Sequence, residues 1–251
     1  MSEIHQVFIT VKTYPTLSRN YDELVCTAGF LENGSWIRVY PLPFRKLDYE
    51  NRYRKYQWIE LPIERNFSDP RPESFRVTDL SKIKLIGDPI GTEQGWFKRK
   101  EIVFAKKTIF SNLEKLIELA NKNCLSLATF KPRQFLNFII EQTDRDWSVD
   151  HLQTLKQKAN HLSLFQTEQE VRKELSVVKK LPYKFSYQFR DDEDRVSTLM
   201  IEDWEIGALY WKCLEKSNSE QKAIEQVKQR YGDKFLQNDL YLFLGTTRQF
   251  H

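Results

Sequence analysis

Residues 23–43, ELVCTAGFLENGSWIRVYPLP, contain two apolar runs rich in strand-forming residues on either side of Glu32-Asn33-Gly34-Ser35. Asn-Gly adopts the positive φ angles that a tight turn between antiparallel strands requires. The stretch therefore predicts a β-hairpin, and we expect the fold of the first part of the chain to be built around it.

The second strand of this hairpin alternates between two kinds of side chain. Successive side chains of a strand point to opposite faces, so Trp36, Arg38 and Tyr40 share one face while Ile37 and Val39 share the other. The aliphatic pair favours the core. We therefore expect the ring–cation–ring face to lie on the outside of the sheet or to line a pocket.

Other short strands are predicted on both sides of the hairpin. Period-2 alternation or β-branched content indicates strands in four further segments, which are residues 5–11, 58–65, 81–91 and 96–107. Five or six short strands within residues 1–107 predict a small β-barrel or a strongly bent sheet, which we treat as one domain.

The composition changes near Ile109, and residues 108–251 predict a second, α+β module. Ser111-Asn112-Leu113-Glu114 has the form of a capping box at the start of a helix. A hairpin over 183–201 turns through the acidic residues 191–194, which we expect to be a solvated tip. Strands are predicted over 124–130 and 135–141. Further predicted elements are helices over 203–216 and 219–235, the second ending near Gly232, and a strand over 239–247. The fold class is thus α+β, with a barrel-like module first.

The charge of the chain is unevenly distributed. Of the 251 residues, 39 are Lys or Arg and 35 are Asp or Glu. Residues 1–110 contain 18 basic and 14 acidic residues, whereas residues 111–251 contain 21 of each. The whole excess of four positive charges therefore lies in the first part and favours an anionic partner. No apolar run reaches the roughly 18 residues of a membrane span, and the start lacks a secretory signal. We expect a cytoplasmic protein without a membrane partner.

Rings and cations alternate repeatedly in the first part, as in residues 52–58 and 96–100. Cations bind phosphates and aromatic faces stack on unpaired bases, so this pattern favours a nucleic-acid partner, either DNA or RNA. The expected phosphate contacts are Arg38, Arg45, Arg54, Lys55, Arg71 and Arg76, and the expected stacking residues are Trp36, Tyr40, Tyr56 and Trp58. Lys131 and Arg133, around Pro132, would extend the phosphate track or simply form a solubilising turn. Alternatively, the rings fill a second core layer and the arginines pair with Asp22, Glu23, Glu60 and Glu64.

Two other kinds of function stay open. Glu202, Asp203 and Glu205 could hold a divalent metal, with Lys184 as the lysine of a metal-dependent nuclease; equally, they could cap the helix that follows them. No other cofactor is expected, because the chain has no nucleotide-binding, dehydrogenase or hydrolase motif, and the sequence does not establish whether the protein is an enzyme. The third alternative is a protein-interaction scaffold, with the C-terminal module as the contact for a protein partner.

Overall fold

The computed structural model describes residues 3–16, 25–148 and 178–247. The predicted fold class is confirmed, because a closed five-stranded barrel is followed by a region of helices and sheets. Asp22 and Glu23 lie outside the described residues. None of the helices in the described segments is long and apolar enough to cross a membrane.

The strands of the first part are β1 (Glu3–Lys12), β2 (Val25–Leu31), β3 (Trp36–Leu42), β4 (Gln57–Arg65), β5 (Ser74–Val77) and β6 (Lys84–Ile86). The barrel closes because β4 pairs with strands on both of its edges. One edge pairs with β1 over residues 57–63, and the other pairs with β6 and then with β5. The strand order β1-β2-β3-β5-β4 returns to β1, and β6 extends the sheet beside β4.

The hairpin predicted at the start is formed by β2 and β3. The two strands are antiparallel, and Gly34 has a φ of 75° in the turn between them. Ile37 and Val39 are fully buried in the barrel core, as the alternation predicts. The face with Trp36, Arg38 and Tyr40 is therefore the outer face of the barrel wall.

The strand predicted over residues 96–107 is wrong. Residues Glu93–Val103 form helix α1, in which none of the residues is buried. As a strand, this segment would place Trp96 and Lys98 on one face and Phe97 and Arg99 on the other, so that neither face would be apolar enough to pack on a core. A helix satisfies its backbone internally and tolerates exposure on all sides.

The second region contains two three-stranded sheets and three helices among the described residues. The elements are β7 (Ile109–Phe110), α2 (Leu113–Asn121), β8 (Leu127–Phe130), β9 (Gln134–Gln142), β10 (Tyr183–Arg190), β11 (Val196–Met200), α3 (Trp204–Ser217), α4 (Glu220–Val227) and β12 (Leu242–Gly245). The sheets have the orders β11-β10-β9 and β12-β8-β7, and the predicted hairpin over 183–201 is β10 and β11. A π-helical segment, Lys228–Lys234, continues α4 through Gly232.

Two local predictions of this region are wrong in detail. Asn112, rather than Ser111, caps α2, since its side chain accepts a hydrogen bond from the Lys115 amide while the Ser111 hydroxyl bonds Asp192. Asp192, Glu193 and Asp194 are exposed, as a solvated tip requires, but Asp191 is buried, and its carboxylate accepts hydrogen bonds from the backbone amides of Leu113, Glu193 and Arg195. This carboxylate therefore joins the hairpin tip to the start of α2.

Candidate functional site

The end of the barrel where β1 finishes holds an unusual lysine. A bulge between Ile9 and Val11 shifts the register of β1, so that Lys12 pairs with Thr27, whose hydroxyl is bonded to the buried Tyr53. Lys12 is only 6% exposed. Its ammonium lies 4.2 Å from the centre of the Phe44 ring and 4.7 Å from that of Trp204. The first residue of α3 thus covers this end of the barrel.

A second lysine ties the same barrel end to α3. The Lys55 ammonium lies 2.5 Å from the Asp203 carboxylate and 2.9 Å from that of Glu205. Burial opposes the charge of Lys55, but the two carboxylates outweigh it and hold its pKa above the usual range. Burial raises the pKa of Glu205 to about 7, with Asp203 adding to the effect.

No carboxylate of the described residues lies within ion-pair distance of Lys12 itself. Burial lowers the pKa of Lys12 to about 8. The negative charge of Glu205 opposes this decrease, and the positive charge of Lys55 adds to it. Groups with strongly shifted pKa values occur often at functional sites and also in structural ion networks. Here all four groups join the barrel to α3.

Two of the three acidic residues predicted as metal ligands, Asp203 and Glu205, pair with Lys55, whereas Glu202 is exposed. Asp203 is the N-cap of α3 and accepts a hydrogen bond from the Glu205 amide at 2.7 Å. Lys184 is exposed and pairs with Glu141 at 3.7 Å. In the described segments, no group of three or more histidine, cysteine or acidic residues could hold a metal ion. The arrangement favours helix capping over the nuclease alternative.

The ring–cation–ring face of β3 is covered by the second region. Trp36 packs against Phe243 of β12, with ring centres 5.3 Å apart. Arg38 is buried and donates to the Ser126 carbonyl at 2.9 Å, while its Nε has no hydrogen-bond partner among the described residues. The first two members of this face are therefore part of an internal interface; Tyr40 is half-buried.

Arg71 is a second buried cation at this interface. Its guanidinium binds both oxygens of Asp69, the shortest contact being 2.6 Å, and donates to the Thr246 carbonyl at 2.8 Å. It also lies 5.5 Å from the centre of the Tyr40 ring. Burial alone would raise the pKa of Asp69, but hydrogen bonds from Arg71 and Ser74 outweigh it and hold that pKa at about 2.

Several other predicted phosphate contacts are exposed or partly exposed and pair with carboxylates. Arg76 lies 2.6 Å from Glu64, Arg133 lies 2.9 Å from Asp194, and Lys131 pairs with Asp239. Arg54 is exposed with no carboxylate within ion-pair distance among the described residues, and Arg45 is half-buried. Of the acids named as alternative partners, Glu64 pairs with Arg76 and Glu60 with Lys84.

An aromatic and basic surface lies open at α1. It consists of Tyr56, Trp96, Phe97, Lys98, Arg99 and Lys100, and we call it the Trp96 surface. Arg99 lies 3.7 Å from the centre of the Tyr56 ring and 5.0 Å from that of Trp96. Trp96 is 48% exposed and Phe97 52%. Trp58 is half-buried against Phe8, with ring centres 5.3 Å apart.

The sequence pattern identified residues 96–100 as a ring–cation segment, but it did not single out Trp96, Phe97, Lys98, Arg99 or Lys100 as site residues. The signal that could have found them is their lack of an apolar face. A segment that cannot bury a stripe or a face must remain at the surface, where its rings and cations are accessible.

The barrel, the covering α+β region and the open ring–cation surface define a two-part α+β protein. The chain belongs to the family described as domain of unknown function DUF8757, whose model matches residues 107–251. Residues 3–105 match the model of a second family, described as domain of unknown function DUF8758. No curated protein and no solved structure was found to match the chain. The two matched segments leave only residue 106 between them; the division into folding domains at residue 107 stays a prediction.

Proposed function

We propose that the protein binds nucleic acid through the Trp96 surface and the adjoining turn that carries Arg54. The observation that carries this proposal is the combination of half-exposed rings with exposed lysines that form no ion pair with a described carboxylate; Lys100 acts on Asp239 only through a smaller electrostatic effect. Lys98 and Lys100 are exposed, and no described carboxylate lies within ion-pair distance of either. In a nucleic acid, the phosphates can pair with these lysines and the bases can stack on the exposed rings.

The charge of the surrounding segment supports the same partner. Residues 93–107 contain five Lys or Arg residues and two Glu residues. An excess of this kind attracts a polyanion and releases its counterions, which contributes to affinity independently of base sequence. Buried Arg38 and Arg71 bind groups of the protein itself and are left out of the proposed contact surface.

Fluorescence anisotropy with labelled oligonucleotides tests the proposal. The wild-type chain is expected to bind at low salt and to lose affinity steeply as salt is added. The double variant Lys98→Ala/Lys100→Ala is expected to bind a single strand more weakly. Its slope of log affinity against log salt should be shallower by about 0.7 for each phosphate that it no longer neutralises.

The matched control is Lys222→Ala/Lys228→Ala, which removes two exposed lysines at α4 and its end in the second region. This control should keep the affinity and the slope of the wild type. The proposal fails if neither single-stranded nor duplex oligonucleotides bind at low salt, or if both double variants lose affinity equally.

A further inference from the structure

The Trp96 surface presents an aromatic ring that the protein already holds in position. The Arg99 guanidinium lies close to both the Tyr56 and the Trp96 rings, and its Nε donates to the Ile90 carbonyl at 2.7 Å. The Tyr56 and Trp96 rings meet edge to face, with centres 6.2 Å apart. A ring that is ordered before binding costs little conformational entropy when a ligand stacks on it.

The backbone at this point helps to expose the ring. Gln94, Gly95 and Trp96 have φ values of 50°, 64° and 69°, so the regular part of α1 begins only after them. Side chains with a Cβ rarely adopt this left-handed region. Trp96 therefore belongs to this turn, and the helical turns that carry Lys98 and Lys100 follow directly after it in the chain.

The kind of ligand follows from what an exposed ring can contact. In a duplex, the faces of the bases are stacked on one another and proteins reach mainly their edges. In a single strand, the faces are free, and each base stacked on an aromatic side chain contributes to binding irrespective of sequence. Half-exposed Trp96 and Phe97 therefore suit unpaired bases better than a duplex.

An anionic membrane surface also attracts rings and lysines, but α1 is poorly suited to one. A helix that lies in a membrane interface needs an apolar stripe along one side. In α1, the rings Trp96 and Phe97 are followed at once by three cations, and the remaining aliphatic residues, Ile102 and Val103, come at its other end. The charge and the rings therefore match an oligonucleotide more closely.

We propose that the ligand of the Trp96 surface is single-stranded nucleic acid, with an unpaired base stacked on Trp96 and its phosphates bound by Lys98 and Lys100. This inference rests on the proposed nucleic-acid function and narrows its substrate class. Duplex nucleic acid and anionic membranes are the alternatives that the experiment must separate.

The test compares three probes with the full chain: an oligo-dT strand, a duplex of equal length, and vesicles of phosphatidylcholine with phosphatidylserine. Oligo-dT should bind more tightly than the duplex. Trp96→Ala should weaken oligo-dT binding by about 5- to 150-fold, whereas Trp96→Phe, which keeps an aromatic face, should retain most of the affinity. Phe67→Ala is the control, because Phe67 is 93% exposed in the loop at the opposite end of β4.

The outcomes distinguish this inference from the function on which it rests. Equal binding of duplex and oligo-dT, or equal losses in Trp96→Ala and Phe67→Ala, overturns the single-strand inference and leaves nucleic-acid binding in place. An equal loss in Trp96→Ala and Trp96→Phe overturns stacking on this ring. Binding to vesicles without binding to either oligonucleotide overturns both proposals.

Discussion

Two faces of the barrel carry the same kinds of side chain in very different surroundings. On the β3 face, Trp36, Arg38 and neighbouring Arg71 are packed under the second region and bound to its carbonyl groups or rings. On the Trp96 surface, rings and lysines face outward. The comparison teaches that alternating rings and cations do not define a function until one knows what packs against them.

The largest expected loss of stability follows from a substitution at the covered β3 face. Arg71→Leu would leave the Asp69 carboxylate buried without its guanidinium partner and the Thr246 carbonyl without a donor. Removing one partner of a buried ion pair costs about 3–5 kcal/mol. We expect the free energy of unfolding, measured by urea denaturation at pH 7, to fall by about that amount.

The pKa of Asp69 sets the pH range of this effect. Its folded-state pKa of about 2 lies below the ordinary aspartate value of 3.8, so the stability it contributes is present above 3.8 and is lost as the pH falls through 2. The cost of Arg71→Leu should therefore shrink toward pH 2. An unchanged unfolding free energy at pH 7 would show that Arg71 is not the stabilising contact of this face.

A moderate increase in the free energy of unfolding is expected when Lys12, at the end of the barrel, is replaced by an apolar residue. Lys12 is buried against rings, and its folded-state pKa of about 8 lies below the ordinary lysine value of 10.5. Between these values the unfolded chain binds a proton that the folded chain has released, so this group makes stability rise with pH over that window. Lys12→Met should remove the rise and increase the free energy of unfolding at pH 7 by about 1–3 kcal/mol.

Urea unfolding of wild type and Lys12→Met in parallel, from pH 7.5 to 9.5, checks this expectation. The quantity to compare is the difference in the free energy of unfolding between the two chains at each pH. Lys55, Asp203 and Glu205 are present in both chains, so their own titration largely cancels in this difference. A difference that does not change with pH, or a variant less stable than the wild type at pH 7.5, contradicts a desolvated Lys12.

The smallest effect is expected for an exposed pair. Arg76 lies 2.6 Å from Glu64, but its side chain is largely solvated. Exposed pairs contribute about 0–1 kcal/mol, so Arg76→Ala should change the free energy of unfolding by no more than this. If Arg76→Ala lowered the free energy of unfolding as much as Arg71→Leu does, exposed and buried cations would contribute equally to stability, which contradicts this prediction.

Much of the fold could be predicted from local patterns. The Asn33-Gly34 turn, the burial of Ile37 and Val39, and the helix that begins after Asp203 each depend on residues close together in the chain. The exception is α1, where a segment with neither an apolar face nor an apolar stripe offers no periodicity to decide between strand and helix. The N-cap of α2 is Asn112, one residue after the predicted Ser111, because the Ser111 hydroxyl donates instead to Asp192, a tertiary contact.

The candidate site could be predicted only in part. Strand alternation correctly assigned Arg38 to the outer side of the barrel wall, but it carries no information about Ser126, which lies 88 residues away and covers that side. Likewise, the link between Lys55 and Asp203 spans 148 residues. Contacts at such separations depend on how the two parts of the chain pack.

The sequence by itself determined the hairpin, the inward direction of its aliphatic residues, the α+β class and the basic character of the first part, because each follows from short-range periodicity or composition. Only the tertiary structure decided which ring–cation clusters are buried and which are open. The physical reason is that alternation specifies the side of a strand on which a residue lies, whereas exposure depends on what packs against that side.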